Sequence, residues 1–218
     1  GRMIGVVFMI GFVFFIIKRA IPSHLLPKLL FMFVLGGIQG FLGWYMVSSG
    51  LTQNVRVSHI RLAIHLTFAF ITFGYIFHTA LGEIYNKPAP NADGLTKYRT
   101  AATWLLVLVT VQIIYGAFVA GTKAGMVYNT WPKMGDEWIA NSVFFTWQND
   151  GSSSLVNSLA TVQFIHRCMA YLITLFVAVL GYKIFASPGV SSGQKSAVLL
   201  LGAGVVLQVV LGITTLLL

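Results

Sequence analysis

Six long apolar blocks, at about 3–18, 29–48, 61–82, 102–121, 161–184 and 197–218, leave this chain very few ways to fold. A bilayer core is crossed by roughly 20 residues of helix rising about 1.5 Å each. In hydrocarbon each backbone N–H and C=O must be bonded within the protein, and continuous apolar blocks of this length achieve it as helices. Only 9% of the residues are charged, against 57% that are hydrophobic. A soluble domain is about 25% charged. The sequence therefore predicts an all-α, polytopic membrane protein with six transmembrane helices, the first of them short. Nuclear, secreted-soluble and disordered classes are excluded. So is a disulfide-held scaffold, since Cys168 is the single cysteine.

The formal charge is +9, from 14 Lys+Arg and 5 Asp+Glu. The basic residues stand singly at block ends, as topology signals and lipid-headgroup contacts do, and imply no nucleic acid. Loop 18–28 carries Lys18, Arg19 and Lys28. Loop 83–101 carries Lys87, Lys97 and Arg99, and loop 185–196 carries Lys195. By the positive-inside rule these face the cytoplasm or matrix. Loop 49–60 and the long loop 122–160 fall on the other side. Trp131, Trp138 and Trp147 suit the long loop to the outer interface, and its length and aromatic content point to function.

Three blocks share Gln-x-x-x-Gly, at Gln39/Gly43, Gln112/Gly116 and Gln208/Gly212. A shift of 169 residues carries Gln39 onto Gln208, Leu42 onto Leu211, Gly43 onto Gly212, Leu30 onto Leu199, Ser23 onto Ser192 and Ile4 onto Ile173. The repeat units are four spans apart and so equally oriented, related by an axis along the membrane normal. This predicts two pseudo-symmetric four-helix bundles, of whose eight helices six are expected here. The divisions are 1–82 for the N-terminal half-bundle, 83–101 for a linker, and 102–218 for the C-terminal half-bundle with outer loop 122–160. Neither end has a polar flank, which reads as a piece of a longer protein. The same shift places a His-Arg pair just before Gly1 and a histidine sixteen residues beyond Leu218.

Ionisable groups inside spans face bundle interiors or ligands. Arg61 and His65 are four apart and share a helix face. His166 and Arg167 stand together near the outer end of the fifth block. A neutral imidazole with an arginine toward the rim suits heme, the ring nitrogen ligating iron and the guanidinium pairing with a propionate. Two such sites in repeat-related bundles favour ligation over a histidine merely bonded to a neighbouring helix or water. Arg2, Arg61 and Arg167 are the candidate propionate partners. His78 lies about 220° around the helix from His65 and suits snorkelling or hydrogen bonding. His24 and His59 fall in loops and are expected to be solvated. Gly36, Gly40 and Gly43 form a small-residue stripe that suits close helix packing. The glutamines are expected to bond across helices, and Cys168 to fill apolar space.

The segments Gly36-Gly37-Ile38-Gln39-Gly40-Phe41-Leu42-Gly43-Trp44-Tyr45-Met46-Val47 and Val57-Ser58-His59-Ile60-Arg61-Leu62-Ala63-Ile64-His65-Leu66 resemble the heme A synthase family. So do Ala120-Gly121-Thr122-Lys123-Ala124-Gly125 running into Tyr128-Asn129-Thr130-Trp131-Pro132, and Thr161-Val162-Gln163-Phe164-Ile165-His166-Arg167 leading to Ala170-Tyr171. The likeness covers essentially the whole chain. It is nearest the proteobacterial and mitochondrial form, which lacks an outer-loop cysteine pair.

The resemblance implies eight spans in two halves and oxidation of the heme O methyl group to the formyl group of heme A. Successive hydroxylations with oxygen from water carry out that change, in support of cytochrome oxidase biogenesis. It implies heme b as cofactor, held by His166 with Arg167 in the C-terminal half. Substrate heme O would lie with His65, Arg61 and Arg2 in the N-terminal half. The family's Glu-x-x-His-Arg motif, and with it the catalytic glutamate, is expected upstream of Gly1, so the chain alone is expected to be inactive. Implied partners are membrane lipid, heme O synthase, an electron-transfer protein and a further copy of the chain. The implied location is a bacterial or mitochondrial inner membrane. A b-type, quinone-linked electron-transfer cytochrome and a non-catalytic heme carrier in oxidase assembly remain open alternatives.

Overall fold

Polar caps start three of the long helices ahead of the apolar blocks that predict them. In a computed structural model of the chain, residues 2–50, 57–85 and 93–218 are described. The first compact unit, Gly1–Asn86, holds α1 (Arg2–Ile17), α2 (Leu26–Ser48) and α3 (His59–Ile84). The second, Lys87–Leu218, holds α4 (Asp93–Thr96), α5 (Arg99–Thr122), α6 (Asn141–Asp150), α7 (Ser154–Asn157), α8 (Leu159–Phe185) and α9 (Ser192–Leu217). The Ser58 side chain accepts from the backbone N–H of Arg61 and starts α3 at His59. Ser158 does the same for α8 through Thr161. At α9, Ser191 and Gln194 form a reciprocal capping box, which supplies two of the donors a helix start leaves unbonded. His59 is thus the half-buried first residue of α3, not a solvated loop residue.

Among the described residues five helices, α2, α3, α5, α8 and α9, are long and apolar enough to cross a membrane, and the chain is a multi-pass, helical membrane protein. The expected first span is shorter. At 16 residues α1 is about 24 Å long, less than the roughly 30 Å hydrocarbon core. It stops before Lys18 and Arg19, and Arg19 takes a left-handed φ of 50°.

In the first unit α2 and α3 run antiparallel. Near the start of α2, His24 Nε2 lies 3.0 Å from Glu83 Oε2, and Lys28 Nζ donates to Glu83 Oε1 at 2.9 Å, in the last turn of α3. Phe31 meets Tyr75 edge-on at 5.0 Å, while α1 reaches α2 through Phe8 and Phe33 at 6.2 Å. In the second unit α8 is the central helix. Leu105 of α5 packs on Ile173, Val177, Leu180 and Ile184 of α8, with Val198 and Val205 of α9 against the same cluster. The Tyr98 hydroxyl, next to the start of α5, donates to the carbonyl of Lys183 at 2.8 Å and meets Ser187 Oγ at the end of α8. Outward faces stay apolar and uncovered: α9 buries no residue, and α2 only Leu35. For a helix whose solvent is lipid, that is the expected surface.

Candidate functional site

Each unit sets one histidine against a Gln-x-x-x-Gly turn of the preceding long helix. In the first, α2 carries Gln39 and Gly43 one turn apart, and His65 comes from α3. Gln39 Nε2 lies 3.4 Å from His65 Nε2 and donates to the His65 carbonyl at 3.2 Å. A Cβ built on Gly43 would come within 3.2 Å of His65 Cε1. One turn outward on α3, Arg61 Nη1 donates to the carbonyl of Tyr45 at 2.9 Å and to Ser48 Oγ at 3.4 Å. Its guanidinium also lies 3.9 Å from the Tyr45 ring centre, a cation–π contact. Arg61 and His65 thus share the α2-facing side of α3.

In the second unit α5 carries Gln112 and Gly116, and His166 comes from α8. Gln112 Nε2 lies 3.4 Å from His166 Nε2, and a Cβ on Gly116 would stand 3.3 Å from His166 Cε1. Arg167 reaches outward to the long loop. Its Nη1 donates to the carbonyl of Lys133 at 3.0 Å and its Nη2 to that of Tyr128 at 2.7 Å. Gln163, buried one turn earlier on α8, donates to the same Tyr128 carbonyl at 2.7 Å. The loop between them is a built turn. The Thr130 hydroxyl donates to the Lys133 carbonyl and accepts from the Gly135 N–H. Gly135 takes φ +69°, where a side chain would be strained.

Both histidines leave Nδ1 buried without a hydrogen-bond partner, and both glutamines leave Oε1 so. A buried polar atom without a partner costs about 1–3 kcal/mol. The same pair is orphaned at the same place in both units, and buried groups of this kind call for a bonding partner. A neutral imidazole has one N–H and one lone pair, and a lone pair on an otherwise buried ring is what a heme iron takes. The family model for the cytochrome oxidase assembly proteins COX15-CtaA matches residues 1–218. The chain belongs to this family.

Among its curated relatives is a heme A synthase of Flavobacterium johnsoniae, 42% identical over the whole chain and 63% of the relative's length. One of Parvibaculum lavamentivorans is 47% identical over 81% of the chain and 50% of its own length. One of Rhodospirillum centenum is 42% identical over the whole chain and 57% of its length. The chain thus spans between half and two thirds of these COX15-CtaA relatives. No solved structure matches it. With its five long apolar helices and bacterial relatives, it is a multi-pass protein of the inner membrane.

Other candidates take different places. The side chain of Arg2 lies outside the described residues. His78 is exposed on α3, and His24 is exposed but paired with Glu83. Cys168 is exposed on α8 and fills no interior space of the described unit. Gly36 and Gly40 have nothing within 4 Å of an added Cβ, so the stripe does not pack on a helix of the described unit, and only Gly43 is in close use. The glutamines at 39 and 112 do reach across helices, as expected. Among the described residues no three His, Cys, Asp or Glu converge to hold a bare ion. A shallow cavity of about 440 Å³ between Tyr128, Ser142, Thr146 and Ser158 is lined by none of the candidates.

Reading the sequence missed Gln163 and the carbonyls of Tyr128 and Lys133. Gln163 is visible as a polar residue three before His166. The carbonyls leave no mark in residue identity.

Proposed function

We propose that the full-length protein is a heme A synthase, converting the methyl group of heme O to the formyl group of heme A with oxygen from water. His166 would hold a heme b cofactor in the C-terminal half, and His65 the substrate heme in the N-terminal half. The observation that carries this reading is the twofold occurrence of a histidine at membrane depth with an unpartnered buried ring nitrogen. The heme A synthases among the relatives support it. Bound heme supplies the redox-active iron and conjugated ring on which such chemistry depends. The chain's part is to bind, orient and shield.

Gln39 and Gln112 steady the rings. The apolar walls of α2, α3, α5 and α8 exclude water. Arg61 and Arg167 each have five N–H donors, of which the backbone and Ser48 contacts use two. The remaining donors make a propionate partner of either arginine compatible with its loop contacts, and Arg2 is retained with them as a substrate-side candidate. Heme O synthase and an electron-transfer protein are the proposed partners, since the oxidation needs a supplier of heme O and an acceptor of electrons.

The test is pigment extraction from membranes of a host that makes heme O but no heme A, with the full-length protein expressed. Formyl or hydroxymethyl heme is the expected product. A preparation that binds heme b but yields neither pigment would overturn the enzyme reading in favour of a b-type cytochrome or carrier.

A further inference from the structure

The three Gln-x-x-x-Gly turns invite a packing explanation, and the geometry does not support it. On α2, Gly36 and Gly40 meet nothing, while the glycine that belongs to the motif, Gly43, meets an imidazole edge. On α5 the motif glycine again meets an imidazole edge. The spacings repeat to 0.1 Å: 3.2 and 3.3 Å from glycine to ring carbon, and 3.4 Å in both units from amide to ring nitrogen. The intervening residues are Gly-Phe-Leu in one and Ile-Ile-Tyr in the other. Only the glutamine and the glycine are common, and in both units they meet the histidine at matching distances.

We propose that Gln-x-x-x-Gly is an imidazole seat, in which the glycine sets how close the ring lies to the helix and the glutamine fixes its rotation. Gln39, Gly43, Gln112 and Gly116 are then positioning residues for His65 and His166. Glutamine suits the task because its amide offers a donor and an acceptor on one uncharged plane, and can hold either ring tautomer. For iron to take the Nδ1 lone pair the ring must carry its proton on Nε2, so in the ligating state the amide turns its oxygen to the ring and accepts from Nε2–H. Alanine at the glycine would push the ring outward by a few tenths of an ångström. A group that orients a metal-ligating histidine is worth about 10–100-fold in metal affinity.

The proposal rests on heme ligation by His166, so the test separates the two. The full-length protein is purified with its heme, and its content, visible spectrum, low-temperature EPR and reduction potential are measured. His166→Ala should lose the b-type signal; full heme content with an unchanged spectrum would overturn the ligand reading itself. Gln112→Met keeps the side-chain length and removes the amide. It should keep the histidine ligand but shift the EPR signal and potential, with heme affinity about 10–100-fold weaker. Gly116→Ala keeps the amide and should shift the same readouts, whereas Gly36→Ala should not. If His166→Ala loses the signal while Gln112→Met and Gly116→Ala match the wild type, ligation stands and the seat is overturned. An equal shift from Gly36→Ala overturns it too. Should Gln112→Met fail to accumulate, Gly116→Ala carries the same decision.

Discussion

Arg167 and Gln163 reach the same carbonyl, that of Tyr128, yet their loss should have different consequences. Gln163 makes one neutral bond there and leaves its own Oε1 buried without a partner. In Gln163→Met one bond goes, but the orphaned acceptor goes with it, and Arg167 still serves the carbonyl. The two effects are each about 1 kcal/mol and opposed, so thermal unfolding should be nearly unchanged. Arg167→Met removes two charge-assisted bonds, to Tyr128 and Lys133, and frees the loop from α8. A loss of about 1–3 kcal/mol is expected, together with faster hydrogen exchange at 128–135 measured by mass spectrometry. Slow exchange retained there would show that the loop is held by something other than the arginine. The sequence makes the shared face of Arg61 and His65 legible, because a spacing of four fixes an angle. It leaves the arginines' actual acceptors hidden, because a backbone carbonyl belongs to no residue type.

The pairs α2–α3 and α5–α8 are the same device built twice. Each is an antiparallel pair with a polar clasp where its first helix starts and its second ends, an imidazole seat in the middle, and an arginine clasp at the far end. The inner clasps differ in kind. His24, Lys28 and the half-exposed Glu83 meet at the surface, where ion pairs are weak in water; Glu83→Gln should leave stability in detergent unaltered. Tyr98 bonds to Lys183 and Ser187 in a half-buried setting, so Tyr98→Phe should cost about 1 kcal/mol in unfolding experiments.

The third copy of the motif, Gln208 and Gly212 on α9, faces outward with nothing near Gly212. The repeat register pairs it with Gln39 and Gly43. In the full-length protein Gln208→Met should therefore perturb the heme-linked spectrum as Gln39→Met does. A wild-type spectrum would mean that the third turn seats no ring. The periodic blocks announce these helices, but not their ends, which for α3, α8 and α9 a serine cap decides. Nor do they distinguish a glycine that admits a helix from one that admits a ring, since both need only a missing Cβ.

Orientation in the bilayer is a property of the whole molecule, and here it decides the face near which His166 lies. Positive charge collects in the short loops 18–28, 83–101 and 185–196, which places them inside. The long loop, with Trp131, Trp138 and Trp147 all exposed, then lies outside, and Arg167 tethers it over the outer half of α8. Two exposed serines bracket that helix, Ser152 before it and Ser192 after it. The 27 residues of α8 span about 40 Å, enough to put the two in different compartments. In a full-length Cys168→Ala background, Ser152→Cys should react with a membrane-impermeant maleimide on intact cells. Ser192→Cys should react only after the membrane is opened. The reverse pattern would invert the molecule and move His166 to the inner half of the bilayer. The basic loops would then have to be held outside against their charge. Labelling of both on intact cells would contradict α8 as a span, and with it the membrane-depth setting of the histidine on which the heme reading depends.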